Sequence, residues 1–547
     1  MSQATRLALV LTVCLSPGCR GATPSAIQKT VEETALQEPE PAFLADSPFD
    51  GVFGTGGGAG GRYGARYGGK RLAAPTTETY APVRESGFRE AALELLSTFS
   101  IDVDSASYAN VRRHLERGSL PPRDAVRIEE LLNAFRYDDP APAPGAPFAV
   151  ATEVASCPWQ PQHRLVRIGI RATELDLADL PPANLVFLID VSGSMSPQNK
   201  LPLLVRSLRL LVEQLNDRDR VAIVVYAGHS GLALPSTPCS QKSRILAVLG
   251  ELTAGGSTAG AAGIELAYRT AREAFVEGGT NRVVLATDGD FNVGVSDRGA
   301  LQALIEGQAA SGVFLSVLGF GMDNLRDDVL ETLADRGNGN YAYVDSLQEA
   351  RRVLVEELDG TLVTVAKDVK IQVEFNPLEV RAWRLVGYEN RVLEHSEFLD
   401  DAKDAGEIGA GHSVTALYEV IPAGLGEPAA RVDPLRYQVP PVATAAAFGG
   451  ELMQVKLRWK APDTDTSVGS STVVRDGGAT WYAASDDFRF AASLATFGMV
   501  LRESEHRGSA TLALARELAR EGLGEDARGH RAEYARLLET AAELGLP

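Results

Sequence analysis

The sequence predicts an α/β protein: a doubly wound, mainly parallel sheet inserted in a β-sandwich, with a small N-terminal helical module and C-terminal helices. Near-continuous apolar runs separated by amphipathic helices, the last of them over Leu347 to Leu358, occupy the stretch from Asn184 to Leu358, the signature of a parallel sheet covered on both faces. Period-two alternation flanks that block on either side: Val166, Ile168 and Ile170 before it, Val369, Ile371, Val373 and Phe375 after it. At 547 residues, the chain is also too long for one core.

Residues 1–19 read as an export leader rather than as fold. Arg6 is a thin basic start, Leu7 to Leu15 form an apolar run, and Ser16-Pro-Gly-Cys19 follows. That run is too short to span a bilayer, which takes about 20 residues. Small residues directly before a cysteine resemble a bacterial lipobox, in which Cys19 would be acylated; Ser16 stands where lipoboxes usually carry Leu. Arg20 gives no inner-membrane retention signal of the Asp type, which favours the outer membrane.

Residues 20–85 form a Gly- and Pro-rich tether whose composition cannot bury enough apolar surface to offset chain entropy. Gly56-x-Gly58-x-x-Gly61 mimics a dinucleotide fingerprint here, and Gly64 to Lys70 nearly mimics a phosphate loop. Neither lies between a strand and a helix. Residues 86–140 read as a compact helical module, with a strand and turn at 97–105 and helices from Tyr108 and Pro122. Asp102-x-Asp104 lacks the glycine and glutamate of a calcium loop and reads as helix capping. Residues 141–182 are the first part of the sandwich, 183–362 the α/β domain and 363–480 the second part of the sandwich. Residues 481–547 are C-terminal helices, in which Phe490, Leu494, Phe497 and Leu501 mark a core-facing stripe.

In a doubly wound sheet of this kind, the first strand begins and the last helix ends at one edge, so chain entry and exit should be close together. The strands at 148–171 and those after 365 should therefore share one sandwich.

A balance of 53 Lys+Arg against 72 Asp+Glu gives a net charge of −19, which argues against a nucleic-acid partner. Beyond Cys14 and Cys19 only Cys157 and Cys239 remain, expected to be unpaired, buried thiols.

The chemistry concentrates where apolar strands end. Asn184-Leu-Val-Phe-Leu-Ile-Asp190 runs into Val-Ser192-Gly-Ser194-Met195, and a later strand ends at Ala286-Thr-Asp288-Gly289. In an open α/β sheet, ligands bind outside the carboxyl ends of the strands, so both carboxylates emerge on that edge. Thr258 lies in the glycine-rich loop Gly255-Gly-Ser-Thr258-Ala-Gly260, where its hydroxyl can reach inward. Three hydroxyls and two carboxylates, with no His or Cys, make a set of hard oxygen donors that suits Mg2+ or Mn2+ and argues against zinc. Two carboxylates leave a divalent ion under-neutralised and seeking an acidic oxygen from outside. Alternatively, Asp190 and Ser192 merely cap the following helix.

Asp190-x-Ser192-x-Ser194 together with Thr258 and Asp288 resembles the metal-ion-dependent adhesion site of a von Willebrand factor type A domain. The resemblance implies that Ser192, Ser194 and Thr258 ligate the ion directly and the two aspartates through water. Segments from Leu96, Pro121 and Cys157-Pro-Trp159, and later Leu385-Val-Gly-Tyr-Glu-Asn-Arg391, resemble a family of bacterial type A-domain lipoproteins.

The expected function is non-enzymatic, metal-dependent protein binding at the cell envelope. Mg2+ is the expected ion, with Mn2+ or Ca2+ as alternatives, and the partner is a protein offering an acidic side chain. The lipid on Cys19 would provide the membrane contact. Two other readings stand beside it: an envelope scaffold whose metal only stabilises the fold, and a metal-assisted hydrolase. The hydrolase reading lacks a base, since the seven His are scattered and no nucleophile elbow is present.

Overall fold

A computed structural model describes residues 78–175, 180–256, 260–289, 298–322, 325–401, 403, 405–425 and 443–546. Cys19 and most of the expected tether lie outside the described residues, as does Thr258.

The α/β domain is built on a six-stranded sheet in the order Tyr341–Val344, Phe314–Phe320, Thr280–Thr287, Ala183–Asp190, Arg220–Tyr226 and Ser230–Pro238. The first five run parallel and the last pairs antiparallel at the edge. All eight residues of Ala183–Asp190 are buried because both faces of this strand are covered. Leu185, Phe187 and Ile189 pack with Leu204, Leu208 and Leu211 of the helix Leu201–Gln214. The alternating residues Val186 and Leu188 pack with Ile264, Ala267 and Tyr268 of the helix Gly260–Glu273 on the other side.

Two elements depart from the sequence reading. Ser230–Pro238 is a strand that has no apolar run, being an edge strand with Pro235 and Pro238 in it and only Leu234 and Thr237 buried. The last helix, expected as one piece over Leu347 to Leu358, is instead Leu347–Arg351, a π turn Arg352–Glu356, and Leu358–Leu362. At the wide turn, Arg352 reaches out to the Ala134 carbonyl (2.8 Å) and pairs with Glu349.

The sandwich draws its strands from both sides of this domain. One sheet runs Arg89–Glu90, Val380–Val386, Ser413–Pro422, Gln160–Ala172, Phe148–Cys157. The other runs Gly406–Gly409, Thr364–Phe375, Met453–Lys460, Ser467–Val474, and Leu96–Ser100 also pairs with Thr364–Phe375. Ile168, Ile170 and Tyr418 of the first sheet share one core with Ile371, Val373 and Leu457 of the second. The α/β domain enters and leaves at one place. Thr280 donates its backbone N–H to the Pro182 carbonyl (3.0 Å) and its hydroxyl to the Leu362 carbonyl (3.0 Å).

The segment 86–140 is not a separate helical module. Its two strands belong to the sandwich sheets. Its helices Ala106–Glu116 and Ile128–Asn133 share a core with the C-terminal helices Asp486–Arg502, Leu512–Glu521 and His530–Glu543. Helix Asp486–Arg502 is buried all round rather than along one stripe, with Gly498 letting the Ile128 side chain approach. Residues 78–85, assigned to the tether, also hold fixed contacts: Glu78 pairs with Arg113 at 2.7 Å, and Thr79 bridges to Arg326.

Asp102 and Asp104 do not cap a helix. Asp102 Oδ1 accepts the Asp104 N–H (3.0 Å), Asp104 Oδ1 accepts the Tyr341 N–H (2.9 Å), and both carboxylates pair with Arg391. Cys157 and Cys239 are free and buried in different cores, and burial pushes both thiols up, that of Cys239 to about 12.

Candidate metal centre

Asp190 is the last residue of the central strand and lies opposite Tyr226, while Ile189 lies opposite Ala286. That register sets Asp190, Thr287 and Asp288 on one edge of the sheet. All three are fully buried. Asp190 Oδ1 accepts the Ser192 N–H at 2.8 Å, and Oδ2 accepts the hydroxyls of Thr287 (3.2 Å) and Tyr226 (3.3 Å). The carboxylate is therefore clamped from both sides. Burial raises its protonation range, hydrogen bonds from Ser192 work against this, and the neighbouring Asp288 charge adds to it. A carboxylate so placed gains from a nearby cation.

Past Asp190 the chain makes one short 3-10 turn, Gly193–Met195. Ser192 precedes it in extended conformation, and its side chain does not cap the turn. Its hydroxyl instead lies 2.9 Å from that of Ser194, with Ser192 buried and Ser194 exposed. Helix Leu201–Gln214 starts later, at Lys200, with no side-chain cap, so the capping alternative for Asp190 and Ser192 does not describe this loop.

The neighbouring loop is stitched to this turn. Gly193 donates its N–H to the Gly256 carbonyl (3.0 Å), and Gly255 donates to Val191 (2.8 Å). Gly256 has φ of +89°, a conformation open to glycine, and leads directly into the segment that carries Thr258. Thr258 itself lies outside the described residues. Asp190, Ser192 and Ser194 thus form one hydrogen-bonded array, Asp288 lies close enough for its charge to act on Asp190, and the 255–256 backbone adjoins the array.

One side chain here was missed by sequence reasoning. Lys200 Nζ donates to Asp288 Oδ2 at 2.8 Å, with the lysine side chain 9% exposed and the aspartate fully buried. In sequence it looks like a surface charge before an amphipathic helix. The feature that draws it inward is remote: its stem lies over Gly321, where an added Cβ would fall 2.2 Å from Lys200 Cε.

Among the described residues no group of three or more His, Cys, Asp or Glu could hold a metal ion. The array at Asp190 instead offers two carboxylates and two serine hydroxyls, and the exposed Ser194 opens it to solvent. An all-oxygen set of this kind fits a small hard cation such as Mg2+.

Three family models match the chain: von Willebrand factor over residues 74–167, von Willebrand factor type A domain over 184–357, and the C-terminal part of uncharacterized protein YfbK over 360–544. The chain is 44% identical over 477 residues to "Uncharacterized protein YfbK" of Escherichia coli (strain K12), covering 86% of this chain and 82% of that protein. It is 28% identical over 175 residues to inter-alpha-trypsin inhibitor heavy chain H3 of Mus musculus, covering 30% of this chain and 20% of that one. Among solved structures, it is similar to "von Willebrand factor type A from Catenulispora acidiphila", with 17% identity and a TM-score of 0.40, over 74% of this chain and 91% of that one.

Proposed function

The chain belongs to the YfbK family of von Willebrand factor type A proteins, and from that premise we propose that it is a non-enzymatic, divalent-metal-dependent protein-binding protein of the bacterial cell envelope. Type A domains generally mediate metal-dependent protein interactions. The observation that supports the finer reading is the solvent-open array of Asp190, Ser192 and Ser194, tied through Gly193 and Gly256 to the loop that carries Thr258. Ser192, Ser194 and Thr258 would hold Mg2+ directly, and Asp190 and Asp288 through water. The ion supplies a positive centre that accepts one carboxylate oxygen from a partner protein.

The residues around it supply placement. Tyr226 and Thr287 hold Asp190 in one orientation, and burial keeps the Tyr226 phenol protonated and thus a donor. The Ser192 hydroxyl is paired with that of Ser194 rather than with an imidazole, which favours binding over nucleophilic catalysis. Export through the leader at 1–19 and a lipid on Cys19 would hold the protein at the envelope, with the outer membrane favoured.

Pull-down from envelope extract tests this reading. Capture of a protein by wild type in Mg2+ should be lost with chelator and lost in Ser192→Ala/Ser194→Ala. Capture that survives both treatments would refute metal-dependent binding. It would leave the scaffold reading if Mg2+ still raises the melting temperature.

A further inference from the structure

The lysine on Asp288 changes the charge balance of the site. By formal charge two carboxylates cancel a divalent ion, so the under-neutralised ion expected from the sequence does not follow from the carboxylates alone. Here a third charge is built in. Lys200 Nζ bonds Asp288 Oδ2 at 2.8 Å in a setting where neither side chain is open to solvent. An ammonium is brought into such a place at a cost in desolvation, so the position is specified by structure around it. The backbone of Lys200 is fixed at the start of helix Leu201–Gln214, where its N–H donates to Pro197 (2.9 Å) and its carbonyl accepts from Leu204 (2.8 Å). Its stem fills the space that Gly321, with φ of +83°, leaves without a side chain.

We propose that Lys200 is a tethered counter-cation of this site. It offsets Asp288, weakens metal uptake, and leaves the bound ion with a net positive charge that recruits one carboxylate. This rests on the metal-dependent reading above. With Asp190, Asp288 and Lys200 counted together, the described side chains carry one net negative charge. A bound divalent ion then retains one positive charge, which a single carboxylate neutralises. Lys200 is a positioning residue here: it acts on Asp288 and does not itself take the ligand.

Titration calorimetry of the full chain with MgCl2, wild type against Lys200→Met, tests this. Removing a unit positive charge one hydrogen bond from a site carboxylate should tighten Mg2+ binding by about tenfold, even at a water-like dielectric. At saturating Mg2+, acetate should bind the variant more weakly than wild type. A purely structural lysine would lower the melting temperature equally with Mg2+ and with chelator and leave the Mg2+ affinity unchanged or weaker; that result overturns the inference. Uptake by the variant alone overturns both this inference and the metal-dependent reading, since wild type would then hold no ion for a carboxylate to reach. Uptake by neither chain overturns both this inference and the metal-dependent reading, whereas uptake of equal strength by both overturns this inference only. If Lys200→Met does not fold, Lys200→Gln keeps a donor to Asp288 without the charge and gives the same comparison.

Discussion

Asp190 and Ser194 belong to one array but differ in what their removal does to the fold. Asp190 accepts bonds from Ser192, Tyr226 and Thr287 in a fully buried position. Truncating it to Ala strands those donors, so Asp190→Ala should lose about 2–3 kcal/mol in urea unfolding even in chelator. Ser194 is exposed, and Ser194→Ala should stay within about 0.5 kcal/mol of wild type while weakening Mg2+ uptake about tenfold or more. Equal stability losses in the two variants would show that the array is not organised around Asp190. What could be read from sequence at this scale was local. Asp190, Ser192 and Ser194 stand within five positions at a strand end, where the turn joins them. Lys200 could not be read, because its inward path depends on an absent side chain at Gly321. The pair Asp102 and Asp104 misled for a related reason: their partner, Arg391, is nearly 300 positions away.

At the scale of elements, helix Asp327–Arg336 of the α/β domain is tied to the N-terminal segment by buried charges. Arg391 pairs with Asp102, Asp104, Glu331 and Asp335, and Arg127 pairs with Glu331 at 2.6 Å. Burial pushes the carboxyl of Asp327 up to about 6. A carboxyl raised in the folded state takes up its proton on folding, so its favourable contribution is full below the unfolded value of about 4 and is lost as pH rises through about 6. Asp327→Asn keeps an acceptor for Tyr341 and Asn110 and removes the charge. It should therefore raise stability at pH 8 and leave it unchanged at pH 4, as measured by urea unfolding at the two values. A loss of stability at pH 8 would mean that the charge pairs outweigh the burial. Elements with continuous apolar runs, such as Ala183–Asp190, were legible because burial on both faces demands that pattern. The edge strand Ser230–Pro238 was not, since one open edge relaxes the demand, and neither was the π turn at Arg352, which depends on contacts to Ala134 and Glu349.

Over the whole molecule, layers are locked together rather than merely adjacent. Arg112 of helix Ala106–Glu116 pairs with Asp345 and Glu349 of the α/β domain and with Glu533 of the last helix, with only 5% of its side chain exposed. Arg112→Ala leaves Asp345 and Glu533 without that cation, while Glu349 keeps Arg352, and should cost about 3–5 kcal/mol. Calorimetric melting of wild type should give one transition that Mg2+ moves upward as a unit, while Arg112→Ala should separate the α/β domain from the rest. Two transitions in wild type would contradict that coupling. The shared sandwich follows from chain geometry, since the entry at Pro182 and the exit at Leu362 are both bonded to Thr280. The helical core was less legible: its residues come from both ends of the chain, and no local period records that Phe135 will meet Phe490 at 4.9 Å.

Metal-dependent binding requires that the oxygen array at the end of the central strand take up a divalent ion. Titration calorimetry with MgCl2 on wild type and Ser192→Ala/Ser194→Ala measures this most directly. One equivalent of Mg2+ bound by wild type and none by the folded double variant is the predicted result. No uptake by wild type, or uptake undiminished in the variant, would contradict it.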